Sequence, residues 1–88
     1  MKIMKPAKAG TFESNDIYVT VMPSEGNGIE LELESIVMQQ FGDEIKMVIM
    51  DTLKELGVQD VIIRAQDKGA LNYTIKARVE TAVKRGCE

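Results

Sequence analysis

The apolar residues of this chain change period partway along it. Ile17, Val19 and Val21 alternate with Asp16, Tyr18 and Thr20, and Ile29, Leu31 and Leu33 alternate with Glu30, Glu32 and Glu34. A period of two sends successive side chains to opposite faces of a strand, so each segment buries one face and wets the other. From Ile36 the pattern changes: Ile36, Val37, Phe41, Ile45, Val48, Ile49, Thr52, Leu53 and Leu56 recur at three- and four-residue steps, the period of an amphipathic helix. Half-buried strands followed by a one-striped helix bury their apolar residues by laying helix on sheet, which is a two-layer α+β arrangement.

Turn chemistry sets the boundaries. Pro23, Ser24, Gly26, Asn27 and Gly28 reverse the chain between the two strands, and an antiparallel pair is the simplest expectation. Ser35 is placed to cap the helix and Gly57 to end it. Gly42 lies inside the helix at a propensity cost of about 1 kcal/mol relative to alanine, which suggests a bend or the close approach of another backbone. Val58, Val61, Ile62, Ile63 and Ala65 form a third, β-branched strand. Beyond Gly69, Leu71, Ile75, Val79, Ala82 and Val83 favour a second helix, although Tyr73 and Thr74 at its start are also common in strands. Residues 1–15 have no sustained period and read as a mobile arm. The expected order is β-β-α-β-α: a small antiparallel sheet covered on one face by helices, in a single domain spanning 1–88.

Composition narrows what such a domain does. The chain has 88 residues and no tryptophan, so its core is built from Ile, Val, Leu and Met. With a formal charge of −3 and basic residues scattered among acids, it offers no footprint for nucleic acid or an anionic membrane. Cys87 is the only cysteine, which rules out an internal disulfide and fits a reducing, cytoplasmic setting. The N-terminal segment is basic but lacks a following apolar run, so neither signal peptide nor membrane anchor is expected.

Histidine is absent and cysteine occurs once, which removes the usual zinc ligands and the ordinary Ser-His or Cys-His nucleophile pairs. No metal site and no catalytic residue is expected. Glu30, Glu32 and Glu34 read as a solvated strand face, lacking the desolvated pocket that acid-base work requires. Asp67, Lys68 and Gly69 read as a plain turn, since the spacing of a phosphate-binding loop is missing. Met38, Met47 and Met50 read as filling for the helix's packed side. Ser14 lies in a segment too polar to bury. Its neighbour Glu13 disfavours an alkoxide and no base is evident, so any chemistry at Ser14 is performed by another enzyme.

Three segments carry a family resemblance: AGTFESND at 9–16, SIVMQQFGDEI at 35–45 and QDKGALNYTIKARVE at 66–80. Together they resemble the acyl carrier (gamma) subunits of citrate lyase, in order and spacing, over roughly residues 3–85. Phe12 stands where an aliphatic residue is commoner and Gln66 where aspartate is usual. The resemblance implies that Ser14 is the covalent attachment point, through a phosphodiester, of 2'-(5''-phosphoribosyl)-3'-dephospho-CoA. The thiol of that group would carry acetyl and citryl thioesters. The implied partners are an alpha subunit (acetate:citrate transferase), a beta subunit (citryl lyase) and a cofactor-attachment transferase, with the carrier itself non-catalytic. The Asp-Ser-Leu motif of four-helix fatty-acid carriers is absent. Two other readings remain: the carrier subunit of a malonate decarboxylase, and a cofactor-free protein-interaction module working through a sheet edge.

Overall fold

The computed structural model describes residues 1–87. Six elements follow in chain order: β1 (Ala7–Gly10), β2 (Ile17–Met22), β3 (Ile29–Ser35), α1 (Met38–Glu55), β4 (Val61–Asp67) and α2 (Asn72–Cys87). The two-layer α+β architecture expected from the change of period is present: one four-stranded sheet with both helices on the same side.

The sheet order is β1-β2-β4-β3, and it differs from the expected antiparallel hairpin. The chain does reverse at 23–28, but β3 skips one strand position and β4 enters the gap. β4 pairs antiparallel with β2, setting Val19 opposite Ala65, and parallel with β3, setting Leu31 opposite Ile63. The sheet is therefore mixed, with β3, α1 and β4 forming a βαβ unit. β4 takes the centre because its inward side chains Val61, Ile63 and Ala65 are all buried. Leu31 and Leu33 of β3 are only partly buried, which suits an edge.

A second difference lies at the N-terminus. Ala7–Gly10, expected within a mobile arm, forms β1 and pairs antiparallel with β2 from Ala7↔Val21 to Gly10↔Tyr18. Ile3 joins the core, and the Met4 and Lys5 N–H groups donate to Gly86 O at the end of α2, at 2.8 and 3.2 Å. The hairpin of this fold is thus β1–β2, with Ser14 in its loop.

The core forms between sheet and helices from Ile17, Val19 and Val21 of β2, Val61, Ile63 and Ala65 of β4, Ile45, Ile49 and Leu53 of α1, and Ile75, Val79, Ala82 and Val83 of α2. The opposite sheet face carries Glu30, Glu32 and Glu34, with Glu32 paired to Arg64 at 2.9 Å. Those carboxylates are solvated, as their alternation implied.

Several local expectations change. Helix α1 starts at Met38 after Val37, without a side-chain cap. Ser35 ends β3 instead; its hydroxyl donates to Asp67 Oδ2 at 2.8 Å and accepts from Val37 N–H at 3.1 Å. Gly57 does end the helix, at φ 70°. Gly42 is buried against the Met38 thioether of its own helix rather than another backbone. Met38, Met47 and Met50 do not fill the core: all three are exposed, Met47 by 62%, because the buried stripe runs through Ile45, Ile49, Thr52 and Leu53. Ile36 and Phe41 are exposed as well. Tyr73 lies in the first turn of α2, which settles the start of that segment as helix.

Candidate functional site: the Ser14 loop

Thr11–Asp16 connects β1 to β2. It leaves β1 through Gly10, at φ 97°, where a Cβ would stand 1.8 Å from the Ile17 carbonyl oxygen. Only glycine lets the two strands approach that closely. Asp16 N–H donates to Glu13 O at 3.2 Å, which closes a four-residue turn with Ser14 and Asn15 at its centre. Asn15 adopts φ 64°, a left-handed conformation that asparagine tolerates better than most residues. Ser14 is exposed at the tip.

The base of the loop is held from three sides. Asn15 N–H donates to Lys68 O at 2.8 Å and Lys68 N–H to Asp16 O at 2.9 Å, extending the β2–β4 ladder past the last strand pair. Arg78 of α2 grips Asp16 with two bonds, Nε to Oδ1 at 3.0 Å and Nη2 to Oδ2 at 2.9 Å. Thr11 Oγ1 donates to Asp16 Oδ2 at 2.7 Å, and Ile17 N–H to Asp16 Oδ1 at 2.8 Å. The Arg78 guanidinium, with the Thr11 and Ile17 donors, outweighs burial and holds the Asp16 carboxyl down from 3.8 to about 2. Charge-assisted bidentate pairs of this kind combine energy with fixed geometry.

Two aromatic rings pack together, one from the loop and one from β2. Phe12 stacks on Tyr18 with ring centroids 4.4 Å apart, yet remains 57% exposed. Beside Phe12 lies a cleft of about 320 Å³ lined by Glu34, Ile36, Gln66 and Lys68. Its floor is Asp67, which is 2% exposed and accepts from Ser35 Oγ, Gly69 N–H at 3.1 Å and Ala70 N–H at 2.9 Å. One carboxylate thus joins the ends of β3 and β4 to the approach to α2. At the same end, Phe41, Leu71 and Tyr73 line a more apolar cleft of about 450 Å³.

Sequence reasoning picked out Ser14 and missed Asp16, Arg78 and Asp67. The signal for Asp16 was its place at the head of an alternating strand, where a carboxylate must find a partner or stay wet. Its partner lies 62 residues away, beyond the reach of any local pattern. Among the described residues no cluster of His, Cys, Asp and Glu is arranged to hold a metal ion, and no helix is long and apolar enough to cross a membrane.

A relative from Halothermothrix orenii, named citrate lyase acyl carrier protein, is 54% identical over 97% of this chain and 89% of its own length. The chain belongs to the citrate lyase acyl carrier family. A carrier of the same name from Clostridium perfringens is 54% identical over all of this chain and 87% of its own, and one from Vibrio cholerae is 49% identical over 100% and 90%. The family model for the malonate decarboxylase delta subunit (MdcD) matches residues 4–86 of this carrier. A chain in the crystal structure of a Pseudomonas malonate decarboxylase hetero-tetramer in complex with malonate shares the carrier's fold. Its TM-score is 0.78 at 16% identity, over 97% of the carrier and 91% of that chain.

Proposed function

We propose that this chain is the acyl carrier subunit of citrate lyase and that Ser14 is the attachment point of 2'-(5''-phosphoribosyl)-3'-dephospho-CoA. The observation that carries the reading is the construction of the loop: a serine exposed at the tip of a turn whose base is pinned by Asp16 and Arg78. The turn fits such a group, because the bonds that close it are made by backbone atoms and leave the Ser14 hydroxyl out of the scaffold. The group supplies a thiol that holds acetyl and citryl units as thioesters.

The chain's own residues display and orient. Arg78 and Thr11 fix Asp16, Asp16 fixes the strand side of the turn, and the turn directs Ser14 away from the core. The chain does not activate its own serine: it has no histidine, and Glu13 beside Ser14 disfavours an alkoxide. A dedicated attachment transferase supplies that step. Catalysis of acyl exchange and citryl cleavage belongs to an alpha (acetate:citrate transferase) and a beta (citryl lyase) subunit, in the cytoplasm. Tethering keeps the acyl unit at a high effective concentration for both.

The malonate decarboxylase carrier is the second reading, favoured by the family model and the shared fold. The identity near one half to citrate lyase carriers, against 16% to the malonate decarboxylase chain, favours citrate.

Intact mass and fragmentation of the chain co-produced with its attachment enzymes test the assignment. The adduct is expected on Ser14, absent from Ser14→Ala, with the unfolding midpoint of that variant unchanged within about 0.5 kcal/mol of stability. Loading that persists in Ser14→Ala would sink the site. A loaded carrier that restores malonate decarboxylation and not citrate cleavage to the respective partner subunits would decide for the second reading.

A further inference from the structure

We infer that the cleft beside the serine loop is a nucleoside subsite, in which the exposed ring of Phe12 receives the adenine of the nucleotide attached at Ser14 while Gln66 and Glu34 meet the base's polar edge. The inference rests on the carrier reading and goes beyond it, because attachment at Ser14 requires no second contact with the protein.

The first argument is the state of Phe12. A phenylalanine more than half exposed on a loop would ordinarily fold down onto apolar surface or move freely. Here Tyr18 stacks on it at 4.4 Å with the planes 29° apart, which fixes the ring's attitude. Tyr18 contributes nothing to the cleft wall, whereas Phe12 does. The ring is therefore supported by one aromatic and presented to a cavity. Nucleobases stack on such platforms because every base has a flat π-face.

The second argument is the chemistry of the other walls. Ile36, 66% exposed, lines the same cleft as Phe12 and adds a second apolar surface for a flat ring. Gln66 carries a carboxamide with one donor face and one acceptor face, the pair that matches the amino group and ring nitrogen on one edge of adenine. Glu34 adds an acceptor for an exocyclic amine, and Lys68 places a cation at the rim for a phosphate. A fatty chain would suit this mixture poorly, because the polar walls desolvate badly against it.

The third argument is reach. Phe12 and Ser14 are two residues apart, so their Cα atoms are separated by at most about 7 Å. A phosphoribosyl bridge from Ser14 is of comparable length and delivers the adenosine to the mouth of the cleft. Tethering also removes the need for tight intrinsic affinity, since a covalently held ligand samples its site at an effective concentration in the millimolar range. Seating the adenosine would leave the pantetheine as the moving part of the arm and give that arm a defined starting direction.

The test is an isotope-filtered NOE experiment on loaded carrier, labelled in the protein only and shown by intact mass to bear its group on Ser14. Contacts are expected from the adenine H2 and H8 protons to the Phe12 ring and the Gln66 side-chain amide, with those adenine resonances moved upfield by the ring. Loaded Phe12→Ala is expected to lose the contacts and return the adenine to free-nucleotide positions, whereas Phe12→Tyr keeps them. Loaded Gln66→Ala is expected to keep the stacking shift and lose the amide contacts. If the group is on Ser14 but the adenine resonates as in free nucleotide with no protein contacts, the subsite is wrong and the carrier reading stands. If Ser14 bears no group, both fall.

Discussion

Two six-residue connections flank β2, Thr11–Asp16 at one end and Pro23–Gly28 at the other, and they differ in how far each is held by distant side chains. The second is closed mainly by its own residues. Ser24 Oγ donates to Gly28 O at 2.8 Å, Asn27 Nδ2 donates to Ser24 O at 2.9 Å, and Glu25, Gly26 and Gly28 take positive φ. Its one distant side-chain bond is from Gly28 N–H to Asp60 Oδ1 at 2.9 Å. The first has no glycine between its ends and adds to its own bonds, from Thr11 Oγ1 to Asp16 and from Asp16 N–H to Glu13 O, a clamp from elsewhere through Arg78 of α2 and the backbone of Lys68. A turn that only reverses the chain can be satisfied locally. A turn pinned at its base is ordered by distant elements, and the tip, here Ser14, stays exposed and outside the scaffold.

The comparison breaks most sharply at Gly10. A methyl group there would meet the Ile17 carbonyl and force an alanine into φ 97°. Gly10→Ala is expected to cost about 3 kcal/mol or more, or to abolish cooperative folding, as read by urea unfolding. A loss below about 1 kcal/mol would mean that the loop departs freely from its pinned form.

Arg78→Ala comes next. It leaves the Asp16 carboxylate, only 12% exposed, without its ionic partner, at an expected cost of about 2–3 kcal/mol. The same pair sets an acid sensitivity. Because the folded carboxyl is depressed to about 2 while the unfolded one titrates near 3.9, the stabilisation of about 2.5 kcal/mol is complete above roughly pH 5 and lost as pH falls through about 2. Asp16→Asn is expected to flatten that part of the stability profile. Carboxyl titration by NMR should show the Asp16 midpoint rising in Arg78→Ala; an unmoved midpoint would contradict the clamp.

Smaller effects belong to the other connection. Asp60→Ala removes a single bond to Gly28 and is expected to cost about 1 kcal/mol in thermal or urea unfolding. Glu25→Gly relieves a non-glycine residue at φ 50°. Since glycine also adds entropy to the unfolded chain, the net change is expected to be stabilising by less than about 1 kcal/mol. If either change matched Arg78→Ala in size, the distinction between a locally closed turn and a remotely clamped one would fail.

The same distinction explains what could be read in advance. The patterns at 17–22 and 29–34 lie on β2 and β3, that at 36–56 overruns α1 by one or two residues at each end, and the run from Val58 to Ala65 meets β4 with Val58 left outside it; a strand or helix with one buried face writes its period into consecutive residues. Helix starts were harder. Ser35 has the chemistry of a cap but spends its hydroxyl on Asp67, a choice set by β4 lying next to β3. The methionines and Phe41 matched the period of α1 yet fall outside its buried stripe, since an 18-residue helix against a small sheet has more apolar positions than one contact face covers. Ala7–Gly10 is too short and too small in side chain to signal β1; only the free edge of β2 makes it a strand.

From the sequence alone came the kinds of element, their order from β2 onward, the serine in a polar segment, and a chain without histidine. Those are local or compositional properties, and each residue reports them by itself. The tertiary structure decided that β4 lies between β2 and β3, that Asp16 meets Arg78 across 62 residues, and that Phe12 borders a cleft shared with residues from β3 and β4. The physical reason is that side-chain period records which face of a strand is buried and carries no information about which edge is paired. Edges are chosen by packing, and the surroundings of Ser14 are assembled from them.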